Sequence, residues 1–268
     1  MGLLMGKFLI VSRLDRLEEY KRIAQEYQVA FEINDFFEPE ILDSEGKIQQ
    51  LIQAYRQAGI PEGSTMHGAF LDVTVFSRDE LIRQISEKRM EQSMEIARQL
   101  GVRGVVFHTN YNPLISDAGY EAMVVTKTAA MLEKLLYSYP DLQIYLENMF
   151  DATPEILKQI SMELKDYQNY GVCLDYAHAC IYGDALEEWV GQLAPVVRHL
   201  HINDNDLKRD LHLALGDGKI DWEKFNIYYR RYFRACSVLL ETTLPENQRK
   251  SLEYIRQLEG LYWEKENL

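Results

Sequence analysis

Three cysteines in 268 residues, Cys173, Cys180 and Cys236, leave no material for a disulfide framework or a Cys-x-x-Cys metal knuckle. They read as reduced, structural thiols of a cytoplasmic protein. No apolar run is long enough to cross a membrane. The apolar opening MGLLMGKFLIVS is short, lacks a small-residue cleavage site and runs straight into a charged helical pattern. It is expected to be a first strand, not a signal peptide. Positive charge is also scarce. Lys and Arg number 29 against 42 Asp and Glu, a net charge of −13, which disfavours a general polyanion-binding surface while leaving room for a local basic groove. No glycine-rich phosphate loop follows the first strand. Ser12-Arg13-Leu14 stands there instead, which argues against an open doubly wound nucleotide-binding sheet.

What the chain does contain is one unit repeated without a break in composition. With 47% apolar and 26% charged residues it reads as soluble and globular. Short apolar runs, expected as strands, lie at Phe8–Ser12, Val29–Ile33, Thr65–Ala69, Val102–His108, Leu142–Asn148, Gly171–Asp175, Val197–Ile202 and Ser237–Glu241. A helical pattern follows each: Leu14–Tyr27, Lys47–Ala58, a helix stopping at Gly101, about Ala118–Tyr137, one after Thr153, Ala185–Leu193, Asp221–Phe233 and Pro245–Leu258. Ser77 with Glu80 reads as a capping box for the third helix, and Thr153-Pro154-Glu155 as an N-cap with proline at the first helical position. Eight β–α units with short apolar strands predict an α/β fold, one (β/α)8 TIM barrel over residues 1–268, since about 250 residues is the usual size.

In such a barrel chemistry gathers at the C-terminal strand ends. Six consecutive strands end at a possible metal ligand: His67, His108, Glu147, Asp175, His201 and Glu241. His178 follows Asp175 by three residues. The stretch from Arg198 to Gly216 adds Asp204, Asp210 and His212. His and carboxylate side chains bind Zn2+, Mn2+ or Mg2+, so a metal site at the mouth is expected. Each position also has an ordinary reading. A lone His67 or His108 fits a structural histidine. Glu147 and Glu241 fit salt-bridged ends, Asp175 a helix cap, and Asp210 a turn residue. Coincidence at six strand ends is what the ordinary readings do not supply. His199, two residues before His201, shares its face and fits a deeper barrel layer or a group behind the ligands.

LEN at 146–148, LDYAH at 174–178, HINDND at 201–206, DLH at 210–212, GDGKIDW at 216–222 and LLET at 239–242, in this order, give the chain a resemblance to the xylose-isomerase-like TIM barrels. That group spans sugar and sugar-phosphate isomerases and epimerases, and endonuclease IV. The epimerase-like pattern implies one divalent metal on Glu147, Asp175, His201 and Glu241, with Glu147 and Glu241 as catalytic residues shuttling a proton beside a carbonyl. The endonuclease-like pattern implies three zinc ions on His67, His108, Glu147, Asp175, His178, His201, Asp210, His212 and Glu241. Against the latter stand a His201–Asp210 interval of only nine residues (210 − 201), His108-Thr109-Asn110 where those enzymes usually read His-Pro-Gly, and HGAF at 67–70 followed by LDVTVF without a DNA-inserting pattern.

The resemblance therefore implies a divalent-metal-dependent sugar or sugar-phosphate isomerase or epimerase with a small carbohydrate substrate. The alternatives are a multi-zinc phosphodiesterase of the abasic-site endonuclease type and a catalytically idle metal- or sugar-binding barrel. One to three ions are expected: a His-rich site favours Zn2+, the carboxylate-rich four-ligand core Mn2+ or Mg2+. His178, Lys208 and Arg209 are candidates to hold a hydroxyl or phosphate, although a solvated loop is the favoured account of Lys208 and Arg209. Phe70, Phe107, Tyr111 and Trp222 are candidates to wall a small pocket, with ordinary packing the default for Phe107.

Overall fold

The computed structural model describes residues 7–115, 117, 119–181 and 186–266, with side chains described as far as 258. Eight strands, β1 (Phe8–Ser12), β2 (Ala30–Ile33), β3 (Thr65–His67), β4 (Gly104–His108), β5 (Gln143–Glu147), β6 (Tyr170–Asp175), β7 (Val197–Ile202) and β8 (Ser237–Leu240), close into a barrel in chain order. All eight seams are parallel, including β1 with β8. The expected α/β barrel is the fold found.

Strand alternation divides the apolar residues into two unequal sets. Ile10, Phe31, Ile33, Met66, Val105, Ile144, Leu174 and Leu240 face outward and join the helices in one large core. Among the described residues the interior holds two small apolar clusters, Leu9–Val11–Ala30–Leu239 and Val106–Tyr145–Cys173. At the other inward positions the strands carry Glu32, Thr65, His67, Glu147, Asp175, His199, His201 and Ser237, all buried. Each large apolar side chain in the outer core contributes about 1.5–3 kcal/mol. Stability thus comes from the sheet–helix layer, and the interior is left for polar groups.

The helices are α1 (Leu17–Tyr27), α2 (Pro39–Leu42), α3 (Glu45–Ala58), α4 (Glu80–Leu100), α5 (Tyr120–Ser138), α6 (Glu155–Glu163), α7 (Tyr176–Ile181), α8 (Leu186–Leu193), α9 (Trp222–Tyr228) and α10 (Pro245–Glu266). The short α2 and α7 are not foreseen by periodicity, which needs longer windows. Two caps differ from expectation. Asp79, not Ser77, caps α4: its carboxylate accepts from the Leu81 and Ile82 N–H groups, while Ser77 Oγ accepts from Asp79 N. An ionised carboxylate is the stronger acceptor for helix-end N–H groups. Pro154 rather than Thr153 occupies the N-cap of α6, a shift of one residue. Gly101 ends α4 in the left-handed region (φ 72°) as expected. After α9 the chain continues as a π-helical turn, Tyr229–Phe233. The expected loop end at Ser116, the helix starts at Ala118 and Ala185, and residues 1–6 of the opening lie outside the described residues. Among the described residues no helix is long and apolar enough to cross a membrane.

Candidate metal centre

Register brings the strand-end residues together. His108 pairs with Glu147 across β4–β5, and Asp175 with His201 across β6–β7. Two ligand groups result, each with its donor atoms within 4.8 Å of one another: His67, His108 and Glu147, and Glu147, Asp175, His201 and Glu241. Glu147 belongs to both. Its Oε2 lies 3.4 Å from His108 Nε2 and 3.8 Å from His67 Nε2. Its Oε1 lies 3.2 Å from His201 Nδ1. Glu241 Oε2 reaches the same nitrogen at 3.6 Å.

A third group sits beside these. His178, on α7 immediately after β6, points Nε2 at Asp210 Oδ2 (3.3 Å), and His212 Nε2 meets the same oxygen at 2.7 Å. All nine candidate ligands therefore gather at one barrel end. The cap reading of Asp175 also holds: Oδ1 accepts from His178 N at 2.7 Å, while Oδ2 is buried without a hydrogen-bond partner.

For three of the candidate histidines the backbone dictates which imidazole nitrogen is presented. His67 Nδ1 donates to the Gly68 carbonyl (2.9 Å), His178 Nδ1 to the Asn148 carbonyl (2.9 Å) and His212 Nδ1 to the Glu241 carbonyl (2.9 Å). Each thereby keeps its Nδ1 proton on the backbone and turns Nε2 toward the other candidate ligands; His67 is neutral there, while His178 and His212, raised by the carboxylates beside them, would give up the Nε2 proton to an incoming ion. Asn148, the last residue of LEN, clamps β5 to β6 by donating to the Asp175 carbonyl and accepting from Asp175 N, both at 2.9 Å.

Three observations fit a cation here. Glu147 Oε1 and Oε2, Asp175 Oδ2, His178 Nε2 and both ring nitrogens of His201 are buried and have no hydrogen-bond partner, although buried polar atoms are normally paired. The strongest electrostatic partners of Glu147, Asp175, His201 and Glu241 are His, Cys and other carboxylates, with no Lys or Arg among them. The donor set, imidazole with carboxylate, is one that Zn2+, Mn2+ and related ions accept.

The crowding is visible in the acidities. Burial pushes the Glu241 carboxyl up to about 8, only partly opposed by His212 and His201 and reinforced by Asp175 and Glu147. Burial pushes Glu147 up as well, but His201 and His108 outweigh it and hold that carboxyl well below the ordinary range. Burial and the neighbouring His108 lower His67 to about 4, so it is a neutral donor at pH 7. Burial opposes the charge on His212, yet Glu241 and Asp210 raise it to about 10.

The remaining candidates scatter. Phe70 stands edge-on to His67 (5.5 Å) and His108 (5.4 Å), and Phe37 packs on Phe70 at 4.8 Å, making an apolar wall beside the first group. Phe107 belongs to the outer core. Tyr111 is buried, and its hydroxyl donates to Glu121. Trp222 is buried against Tyr176 and Phe225, with its indole N–H donated to Asp204. Arg209 is taken up by Asp206, and Lys208 is exposed next to it, as a solvated loop requires. Asp204 is a scaffold, not a ligand. It accepts from Asn205 N, Gly216 N, Ile220 N and Trp222 Nε1 and so folds the loop that carries Asp210 and His212. Gly218 passes so close to that hub that a Cβ would lie 2.2 Å from Asp204 Oδ1. Glu32 escapes sequence reasoning altogether. The available signal is a lone carboxylate inside the apolar run VAFEI, on the same face as Ala30.

The sequence profile of the family described as "Xylose isomerase-like TIM barrel" matches residues 17–258. An uncharacterized protein of Methanocaldococcus jannaschii is 28% identical over 167 residues, 59% of this chain and 56% of that protein. The chain thus spans little more than half the length of that relative. A probable endonuclease 4 of Halorhodospira halophila is 27% identical over 241 residues, 79% of this chain and 78% of the relative. Among solved structures, a D-tagatose 3-epimerase-like protein superimposes with a TM-score of 0.77 at 24% identity, covering 97% of this chain and 99% of the other, a likeness of fold.

Proposed function

We propose, from the premise that this chain belongs to the xylose isomerase-like TIM barrel family, that it is a multinuclear metal-dependent hydrolase of small phosphate esters. One observation carries the reading: the two oxygens of Glu147 face two different ligand groups, His67–His108 on one side and His201 with Glu241 on the other. A carboxylate that bridges two ions needs this, and a single-metal site does not. Two or three clustered divalent ions held there would supply Lewis acidity, an activated water and stabilisation of both attacking and leaving oxygens.

The chain's own residues do the rest. Glu147, Asp175, His201 and Glu241 would hold one ion, His67 and His108 with Glu147 a second, and His178, Asp210 and His212 a third. The carbonyls of Gly68, Asn148 and Glu241 hold the Nδ1 protons of His67, His178 and His212 and so leave Nε2 as the nitrogen each would offer to an ion. Phe70 and Phe37 exclude water from one flank. Lys and Arg are missing from the main electrostatic partners of the four-ligand group, so the phosphate charge would be met by the ions themselves. Together with a net charge of −13, this favours a small ester over a nucleic acid.

A second reading has its own support. Glu147 Oε1 and Glu241 Oε2 flank His201 Nδ1 at 3.2 and 3.6 Å, and the four-ligand group is complete by itself. Two carboxylates about one ion suit an isomerase or epimerase in which Glu147 and Glu241 move a proton beside a polarised carbonyl of a sugar.

Metal analysis of the purified chain after Zn2+ or Mn2+ loading, run beside three assays, separates the readings. The assays are a chromogenic phosphodiester, an abasic-site duplex and a ketose panel. Two or three ions with turnover of the small diester is the expected result. One ion with sugar epimerisation would overturn the hydrolase in favour of the second reading.

A further inference from the structure

We infer that Glu32 is the positioning residue of this centre, holding the His201 imidazole so that Nδ1, not Nε2, is the nitrogen offered to the metal. The inference rests on the metal-centre reading above and adds a residue from β2, a strand that contributes none of the nine candidate ligands.

His201 differs from the other candidate ligands in how it is held. His67, His178 and His212 each tie Nδ1 to a main-chain carbonyl and present Nε2. His201 is reversed. Its Nδ1 faces Glu147 and Glu241 at the mouth, and its Nε2 lies 3.2 Å from Glu32 Oε1, an ion-pair approach in which neither atom has a hydrogen-bond partner. Among the described residues no main-chain carbonyl meets that nitrogen, and a carboxylate stands in the place one would fill.

Glu32 is itself fixed from below. Thr65 Oγ1 donates to Oε2 at 2.8 Å, and His199 Nε2 lies 3.3 Å from the same oxygen. His199 is anchored in turn by Ser237 Oγ at 2.6 Å and stacked on Tyr145 at 5.1 Å. All of these side chains are buried. Both Glu32 oxygens therefore have neighbours within the interior, and neither is turned to the mouth. This rules Glu32 out as a ligand and suits it to act through His201. A carboxylate behind an imidazole selects the tautomer, locks the ring plane and makes the opposite nitrogen a stronger donor.

The same layer contains another ligand-like trio, Cys173, His199 and His201. It is a poor second metal site. The Nε2 atoms of both histidines lie beside Glu32, and burial pushes the Cys173 thiol well above the ordinary thiol range, away from the thiolate a metal needs. The layer is better read as the support beneath the centre.

The test compares wild type with Glu32→Gln, Glu32→Ala and, as a packing control, Val11→Ala, the register neighbour of Glu32 in the interior. Zn2+ affinity is measured by competition with a chromophoric chelator, thermal midpoint by circular dichroism, and the metal-bearing nitrogen of His201 by long-range ¹H–¹⁵N correlation on histidine-labelled protein. The expected result is Nδ1 coordination in wild type and a tightest-site affinity weakened about 10–100-fold in Glu32→Ala. Glu32→Gln, which can still accept from Nε2–H but carries no charge, should fall between, and Val11→Ala should lose stability with affinity intact. Variants that melt lower but bind Zn2+ as wild type does would reduce Glu32 to a structural residue, and Nε2 coordination by His201 would overturn the assignment outright. A wild-type chain that takes up no divalent ion would overturn the metal-centre reading and this inference with it.

Discussion

The Nε2 atoms of His67 and His108 lie 3.1 Å apart, with the His67 ring fixed by the Gly68 carbonyl so that its lone pair faces its neighbour. A proton shared between the rings, or an ion held by both, is what keeps two such nitrogens at that separation. Replacing either one by alanine removes the ion that the pair would hold. In His67→Ala or His108→Ala, metal content should drop by about one ion per chain and phosphodiester turnover by at least about 100-fold. Elemental analysis with steady-state kinetics checks both. An unchanged metal count would remove these histidines from the centre.

Chelation should destabilise the fold. Glu147, Asp175, Glu241 and Asp210 gather without Lys or Arg among their main partners, so an ion that binds only the folded chain stabilises it by mass action. At a free ion level about 1,000 times Kd the gain is about 4 kcal/mol, or on the order of 10 °C in Tm for a chain of this size. Thermal melts with EDTA and after Zn2+ restoration measure it, and superimposable melts would count against tight binding.

Asp151 gives a pH dependence with a definite sign. Burial raises this carboxyl to about 6, above its ordinary range, despite bonds from Thr109 Oγ1 (2.5 Å) and Met149 N (3.0 Å). The folded chain therefore holds a proton that the unfolded chain has released between about pH 4 and 6. The associated stability is fully present below about pH 4 and is lost as pH rises through about 6. Asp151→Asn, which keeps the acceptor without the charge, should match wild type near pH 4 and exceed it at pH 7 by up to roughly 3 kcal/mol. Urea titrations of chelator-treated protein at the two pH values decide it; equal stability at pH 7 would show the carboxyl ionises freely.

Asp204 should matter to the third ligand group without touching an ion. Asp204→Ala leaves the N–H groups of Gly216, Ile220 and Trp222 without their acceptor inside the fold. A loss of roughly 2–5 kcal/mol is expected, with weaker metal retention by Asp210 and His212. Denaturation midpoints and metal content together test this, since an effect on stability alone would detach the loop from the centre.

The barrel and six of the nine candidate ligands were legible because each of those six carries a local signal: an apolar run that stops at His, Asp or Glu. Glu32 was not, because its role depends on which strand lies across the barrel, and its run VAFEI looks like any buried strand with one polar interruption. Asp204 was misjudged for the opposite reason. It lies among true candidates, and only the fold of the 203–222 loop turns its oxygens toward main-chain N–H groups. Trp222 likewise sits in a family-like motif, yet its N–H is spent on Asp204. The cap of α4 went to Asp79 because sequence spacing cannot rank two acceptors two residues apart.

The order of strands around the barrel has a consequence for synthesis. Seven of the eight seams join consecutive strands, and only β1–β8 joins the two ends of the chain. The candidate ligands begin on β3, and the last of them, Glu241, directly follows β8. A nascent chain emerging from the ribosome can therefore assemble most of the ring while its mouth still lacks one carboxylate. The four-ligand group is complete only after the final strand has docked against the first, so capture of an ion there would mark ring closure and make a finished barrel harder to reopen.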